Sequence, residues 1–255
     1  MAYKSIGIVG GGVIGQALFD YVSKHDSLSV EYVLVSDVRR STRQGAITRI
    51  LTDDVDAALS QKVDLVLEAA NPDFLHAHAS RILESSSLCG FSCSALATEA
   101  TEDAILASAG RSGRRFYLPH GGIFGLDGLI DGRPVLNSVT ITTTKSGPSL
   151  GGAADLHGVV FDGSTRDACI QFPRNVNVHA AIAWAGLGFD RTRSIIVAEP
   201  NATVMTHQIR IIGDNLEWNI TAQSRSLGGV TGSYTPKSAV GSVARILNSG
   251  IIANV

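Results

Sequence analysis

Gly10, Gly12 and Gly15 follow the apolar run Ile6-Gly7-Ile8-Val9 without a gap, in the spacing Gly-x-Gly-x-x-Gly. The spacing suits an anion: Gly10 makes a tight turn, Gly12 lets bare backbone approach a diphosphate, and Gly15 lets a helix pack close on the strand before it. The unpaired N–H groups where that helix starts, at Val13 and Ile14, add the positive end of a helix dipole. Asp37 comes 22 residues after Gly15, behind a second apolar run, Tyr32-Val33-Leu34-Val35. A carboxylate there can accept hydrogen bonds from the hydroxyls of an adenosine ribose. Together these residues are expected to form a dinucleotide site. Arg39 and Arg40 could host an extra phosphate, so NAD is expected with NADP tolerated. Ala70, at the end of a third run, Val63–Ala70, is placed beside the cofactor because ligands of open α/β sheets lie beyond the carboxyl ends of the strands.

A second set has the chemistry of proton transfer. Period-two alternation puts His207 on the same face as Met205, Ile209 and Ile211, an ionisable ring on the apolar side of a sheet. The ring is either a core histidine with both nitrogens satisfied or a group that moves protons, for which an ordinary pKa near ~6.5 is suited. Asn175 and Asn177 stand at the mouth of an apolar helix, where they either cap it or address a carboxylate or the cofactor's amide. The glycine-rich run Leu118–Asp127, with His120 and Gly122, is either a hinge or bare backbone lying against a nicotinamide ring.

The elements that must position these groups change character along the chain. Up to residue 118 the apolar runs are short and continuous, as in strands buried on both faces, and they alternate with helical stretches. Residues 46–59 read as a helix-bearing crossover. Asn71-Pro72 opens a helix carrying Leu75, Ala79, Ile82 and Leu83 inward. Leu88–Ser94 and Arg115–Leu118 read as further strands, with a helix over 101–109 stopped by Gly110. Beyond them, 138–144, 204–212 and 216–222 alternate with period two, and Gly213-Asp214-Asn215 makes a hairpin turn. Thr235-Pro236 opens a last helix with Val240, Val243, Ala244 and Leu247 on one face and Gly250 just beyond it. The expected fold class is α/β: an N-terminal Rossmann doubly wound parallel sheet plus a C-terminal α+β domain with a mostly antiparallel sheet. The expected division is 1–118 for dinucleotide binding, completed by the helix over 236–249, and 119–235 for substrate.

With 255 residues, 44% of them hydrophobic and 17% charged, the chain has material for a substantial core. A net charge of -2 gives no basic field for nucleic acid, and no apolar run approaches the about 20 residues of a membrane span. Cys89, Cys93 and Cys169 form no C-x-x-C pair, which argues for core thiols rather than a disulfide framework or a metal site. The two histidines His76 and His78 lie two apart on a helix, facing different ways, and make a poor metal pair. With no room for a signal peptide ahead of the first strand, a cytoplasmic protein is expected. A homodimer is the expected assembly.

Several longer stretches resemble the L-aspartate dehydrogenases. They are Gly7-Ile8-Val9-Gly10-x-Gly12, Leu118-Pro119-x-Gly121-x-Ile123-x-Gly125-Leu126-Asp127, Phe161-Asp162-Gly163-Ser164-x-Arg166 and Phe172-Pro173-Arg174-Asn175-Val176-Asn177-Val178. Ala185-Gly186-Leu187-Gly188-Phe189-Asp190-Arg191-Thr192, Thr206-His207 and Pro236-Lys237-Ser238 continue the likeness. It covers nearly the whole chain. It implies NAD- or NADP-dependent oxidation of L-aspartate to iminoaspartate, which hydrolyses to oxaloacetate and ammonia, and a product that can feed de novo NAD synthesis. His207 falls on the family's catalytic histidine, and Gly122 and Asn177 on cofactor-contacting positions. A dicarboxylate substrate needs cationic or N–H-rich anchors, for which Lys145, Lys237, Arg174 and Asn175 are candidates. His120 stands where the family has serine, in His120-Gly121-Gly122 for Ser-Gly-Ala, and bears on substrate choice. Lys145-Ser146-Gly147 replaces Lys-Pro-Pro, and Tyr234-Thr235-Pro236-Lys237-Ser238-Ala239 replaces a stretch that usually reads Asn-Pro-Lys-Thr-Ser. The alternatives are a dihydrodipicolinate reductase-like or homoserine dehydrogenase-like enzyme of the same build, or an inactive dinucleotide-sensing protein.

Overall fold

The structure, a computed structural model, describes residues 3–40, 45–225 and 232–247. These separate into two compact units, one holding the residues up to Ala95, residues 99–119 and those from Pro236, the other Leu96–Thr98 and His120–Thr235.

The first unit runs β1 (Ser5–Val9), α1 (Val13–Val22), β2 (Ser29–Leu34), β3 (Leu51–Thr52), α2 (Val55–Ser60), β4 (Leu65–Glu68), α3 (Pro72–Leu83), β5 (Ser87–Gly90), α4 (Glu99–Ser112) and β6 (Phe116–Tyr117). Its sheet has the order β3-β2-β1-β4-β5-β6 with every pairing parallel. This is the doubly wound sheet expected from the continuous apolar runs. The order reverses between β1 and β4, and the glycine turn after β1 opens at that reversal, where such sheets take their ligands. Ile6, Ile8, Leu18, Val22, Val33, Leu65 and Leu67 form the core.

Three elements differ from the sequence expectation. The stretch read as crossover 46–59 contains an added edge strand, β3, whose two residues are too short to alternate. Strand β5 stops at Gly90 rather than running to Ser94, because Ser92 turns its N–H and hydroxyl onto the Glu68 carboxylate at 3.1 and 2.8 Å. Helix α4 passes through Gly110 to Ser112, and the stop falls at Gly113, which holds the left-handed φ of +69° that glycine tolerates.

The second unit holds α5 (Leu126–Gly132), β7 (Leu136–Lys145), β8 (Gly158–Ser164), α6 (Thr165–Gln171), α7 (Asn177–Ala185), β9 (Thr192–Ala198), β10 (Val204–Gly213) and β11 (Leu216–Arg225). The order is β11-β10-β7-β9-β8, antiparallel except between β7 and β9. Val139, Ile141, Ile209 and Ile211 bury one sheet face against Ile123, Leu129, Ile182 and Ala185. The turn Asp214-Asn215 closes the expected β10–β11 hairpin, with Asn215 at φ +56°. The glycine-rich run is more than a hinge, since its end starts α5.

Helix α8 (Thr235–Leu247) follows, and its Ala239 and Val243 join the core of the first unit. Its fully buried residues are Ser238, Ala239, Ser242 and Val243; of the face expected inward, Val240 and Leu247 pack against the same core and Ala244 is half-buried. Gly250 and residues 248–249, expected to end this helix, lie outside the described residues.

Candidate active site

In the first unit, Gly10 has a φ of +107°, and its N–H donates to the Leu34 carbonyl at 2.8 Å. A Cβ on it would lie 2.3 Å from the Ala69 carbonyl oxygen, so only glycine makes this turn. Gly12 caps α1 without a side chain, and a Cβ there would meet nothing within 4 Å. The cradle therefore has bare backbone facing open space at the positive end of a ten-residue helix, which fits a diphosphate. Val13 at the helix start is exposed, Ile14 is half-buried, and Gly15 packs so tightly on Gly10 that a Cβ would come within 2.1 Å of its carbonyl oxygen.

Asp37 accepts three hydrogen bonds from Arg39: from the backbone N–H at 2.9 Å, Nε at 3.0 Å and Nη2 at 3.2 Å. The Arg39 guanidinium and N–H hold this carboxyl below the usual carboxylate range. Arg39, one of the two arginines considered as phosphate hosts, is thus turned onto the acid beside it. Ala70 lies just past β4, with its N–H donating to Glu68 Oε1 at 2.8 Å. Glu68 is wholly buried and ties the ends of β4 and β5 together through Ala70 and Ser92. Burial pushes its carboxyl up to about 7 against the pull of those bonds. A lone acid within an otherwise apolar strand was the available signal for it. Asn71 caps α3, accepting from Phe74 N–H at 3.0 Å.

In the second unit, β10 presents Met205, His207, Ile209 and Ile211 to the interior, as the alternation requires. His207 is 4% exposed, and its Nδ1 lies 2.7 Å from the hydroxyl of Thr143, its antiparallel partner on β7. Its Nε2 faces Gly122, where a Cβ would stand 3.9 Å away. Burial, and then the neighbouring Lys145 cation, push the ring down to about 3, so it is neutral with a lone pair at ordinary pH. Behind it, Thr143 also meets Nε2 of the fully buried His179 at 2.6 Å, and His179 Nδ1 meets Ser194 Oγ at 2.9 Å. None of these three partners stood out in the sequence. Thr143 sits in a threonine run that reads as ordinary strand, and His179 lies inside an apolar helix; strand register and helix packing alone bring them to His207.

Lys145 is 4% exposed on the same face of β7 as Thr143. Its Nζ donates to Asn175 Oδ1 and to the Asn175 carbonyl, both at 3.3 Å. Among the described residues it has no acidic partner, and burial lowers its pKa to about 8. A buried ammonium held only by neutral oxygens is a prepared site for an anion. The capping reading of the two asparagines is corrected by this geometry. Val176 is the N-cap of α7 and no side chain caps it, while Asn175 is engaged with Lys145 and Asn177 is the first helical residue. Gly121, at φ +63°, and half-buried His120 belong to this unit too. Arg174 is exposed at the turn before α7. The structure brings His207, Gly122, Lys145 and Asn175 together; Lys237, exposed on α8, belongs to the first unit.

Cys89, Cys93 and Cys169 are buried thiols outside any disulfide, and among the described residues no cluster of acids, histidines and thiols could hold a metal ion. No helix among those residues is long and apolar enough to cross a membrane.

Known proteins place these features in one family. Residues 130–246 match the model described as aspartate dehydrogenase, C-terminal, and residues 10–119 the model described as homoserine dehydrogenase, NAD binding domain. L-aspartate dehydrogenase 1 of Bordetella pertussis is 33% identical over 257 residues, covering 97% of each chain. The L-aspartate dehydrogenase of Nitrosopumilus maritimus is 35% identical over 167 residues, 60% of this chain and 61% of that one. The crystal structure of aspartate dehydrogenase from Thermotoga maritima superposes with a TM-score of 0.78 at 26% identity, covering 99% of this chain and 100% of that one. A dihydrodipicolinate reductase from Paenisporosarcina, at 13% identity and a TM-score of 0.51, shares the fold alone. With a Gly-x-Gly-x-x-Gly turn in one unit, a buried histidine and a buried lysine in the other, and this similarity along 97% of its length, the chain belongs to the L-aspartate dehydrogenase family.

Proposed function

We propose that this protein oxidises L-aspartate to iminoaspartate with NAD, tolerating NADP, and runs the reverse reductive amination of oxaloacetate. The observation that carries the substrate reading is Lys145, a buried cation beside His207 with no acid to neutralise it among the described residues. Bound NAD supplies an acceptor for the α-hydrogen, which leaves as hydride. Gly10, Gly12, Val13, Ile14 and Gly15 hold its diphosphate, Asp37 its adenosine ribose, and Ala70, Gly122 and Asn177 its other half. Lys145, oriented by Asn175, takes a substrate carboxylate; His120, on the loop beside His207, contributes to the choice of side chain. Burial is the main cause of the low basicity of His207 and the Lys145 charge the second; a carboxylate on Lys145 cancels the second, so substrate binding restores part of the imidazole's basicity. His207 then takes a proton at Nε2 from the water that adds to iminoaspartate and returns it to the nitrogen, which departs as ammonia.

NADH consumption with oxaloacetate plus ammonia, measured beside 2-oxoglutarate, pyruvate and glyoxylate, tests the assignment. Activity with oxaloacetate at least ~10-fold above the monocarboxylates pyruvate and glyoxylate is expected from a second carboxylate bonded to a charged group, and 2-oxoglutarate, one methylene longer, tests the length the site accepts. Preference for a monocarboxylate would reject the aspartate reading, and tight NADH binding with no turnover on any of them would favour a sensing protein. Action in the cytoplasm fits three unbridged cysteines. Assembly as a homodimer belongs to the same proposal and is read by sedimentation.

Two predictions arise from the charges. Lys145 carries its proton below about 8 and loses it as pH rises through that value. The KM for oxaloacetate, which has no amine of its own to titrate, is therefore expected to climb above that pH, and Lys145→Arg to move the climb to higher pH. A flat KM profile in the parent enzyme would remove Lys145 from the site. Asp37→Ser takes away the ribose acceptor and the charge that repels a 2′-phosphate, and releases Arg39. We expect kcat/KM to fall about tenfold for NAD and to rise for NADP; an unchanged ratio between the two would show that Asp37 does not read the ribose.

A further inference from the structure

The hydrogen bonds behind His207 continue past His179. Ser194 Oγ lies 2.8 Å from Thr165 Oγ1, and Thr165 Oγ1 donates to the backbone carbonyl of Thr192 at 3.0 Å. His207, Thr143, His179, Ser194 and Thr165 thus form one line of side chains from β10 through β7, α7 and β9 to the start of α6. All are between 0% and 4% exposed, so water cannot supply alternative partners.

A line of this kind can run in only two directions, because each hydroxyl has one hydrogen to give and each neutral imidazole has one N–H and one lone pair. Its far end decides between them. The Thr192 carbonyl only accepts, so Thr165 gives its hydrogen there and must accept from Ser194. Ser194 then accepts from His179 Nδ1–H. His179, kept neutral by burial beside His207 and Lys145, receives the Thr143 hydrogen on Nε2. Thr143 is left to accept from His207 Nδ1–H, and His207 Nε2 carries the lone pair on the side that faces Gly122. In the opposite direction the Thr165 bond to the Thr192 carbonyl is lost and Nε2 carries a hydrogen.

We propose that Thr143, His179, Ser194 and Thr165 are positioning residues that lock His207 in the tautomer with Nδ1 protonated and Nε2 free to act as base. The functional weight of this lock rests on the reading of His207 as the proton-handling group. The line is a lock and not a conduit: it ends on an amide carbonyl, which does not take up a proton, so a proton received at Nε2 has to leave from Nε2. No covalent bond is made or broken along it.

Long-range proton–nitrogen NMR spectra of the protein labelled with nitrogen-15 histidine read the tautomer directly, with the His207 signals identified by their loss in His207→Asn. The parent is expected to show a protonated Nδ1 and an unprotonated Nε2 at neutral pH, and the reverse pattern overturns the proposal. Thr165→Val, remote from the reacting atoms and nearly isosteric, removes both the anchor and the acceptor for Ser194. The Ser194 hydrogen then turns to His179 and the line reverses. One hydrogen bond in favour of either direction is worth a factor of about five in population. Thr165→Val is therefore expected to exchange the His207 pattern and lower kcat roughly five-fold, with NADH affinity unchanged, and Thr165→Ser to restore both. Parent-like spectra and kcat in a folded Thr165→Val protein would sink the lock. If the spectra follow the expected pattern while His207→Ala keeps its turnover, it is the assignment of His207 as base that has failed, and with it the catalytic purpose of the lock.

Discussion

Replacing His207 by alanine is expected to lower turnover with aspartate about a thousandfold, in the middle of the range for loss of a positioned acid or base, and to leave NADH affinity nearly unchanged. The separation follows from where the residues sit. His207 is on β10 of the second unit, while the glycine turn and Asp37 belong to the first. Its basicity is lowered first by burial and then by the Lys145 charge, and a bound carboxylate neutralises the second of these. Removing the ring also leaves the Thr143 hydroxyl with one partner fewer in a buried site, so some loss of stability accompanies the loss of turnover. Steady-state kinetics beside a fluorescence titration of NADH separate the two effects. Turnover within tenfold of the parent in a folded protein would mean that water addition proceeds without this imidazole.

Gly12→Ala gives the second large effect, and on binding alone. Gly12 has an ordinary φ of -77° and open space where a Cβ would go, so the free protein should lose no more than about 1 kcal/mol, chiefly from a poorer helix cap. The same methyl stands where the diphosphate has to approach backbone. NADH affinity is expected to fall about a hundredfold, the loss from displacing a phosphate by an ångström or so from charge-assisted N–H contacts. Gly10→Ala makes a useful contrast. There a Cβ would lie 2.3 Å from the Ala69 carbonyl at a φ of +107°, and the first unit itself should be destabilised. Calorimetric NADH titration and thermal melts of both variants distinguish the cases. Unaltered NADH affinity in Gly12→Ala would move the dinucleotide away from this turn.

Much of the fold is legible along the chain because its signals are local. A continuous apolar run marks a strand covered on both faces, alternation marks a sheet with one buried face, and Asn71-Pro72 marks a helix start; β1, β4, β10, β11 and α3 follow from these. Short or locally ambiguous elements do not. β3 has two residues, α5 begins inside a glycine-rich run, and β5 ends where a side chain from the neighbouring strand captures Ser92.

The sequence by itself determined the glycine turn after β1, the acid after β2 and the inward orientation of His207, since each depends on residue type and spacing within one or two adjacent elements. Tertiary structure alone decided what surrounds that imidazole. Thr143, His179, Ser194 and Thr165 come from four elements, spread along the chain from residue 143 to 194, and only strand register and helix packing align their single hydrogens. It also turned Lys145 from one basic residue among several into a buried cation with no counter-charge among the described residues, because burial belongs to a folded environment and leaves no mark on the lysine's own place in the sequence.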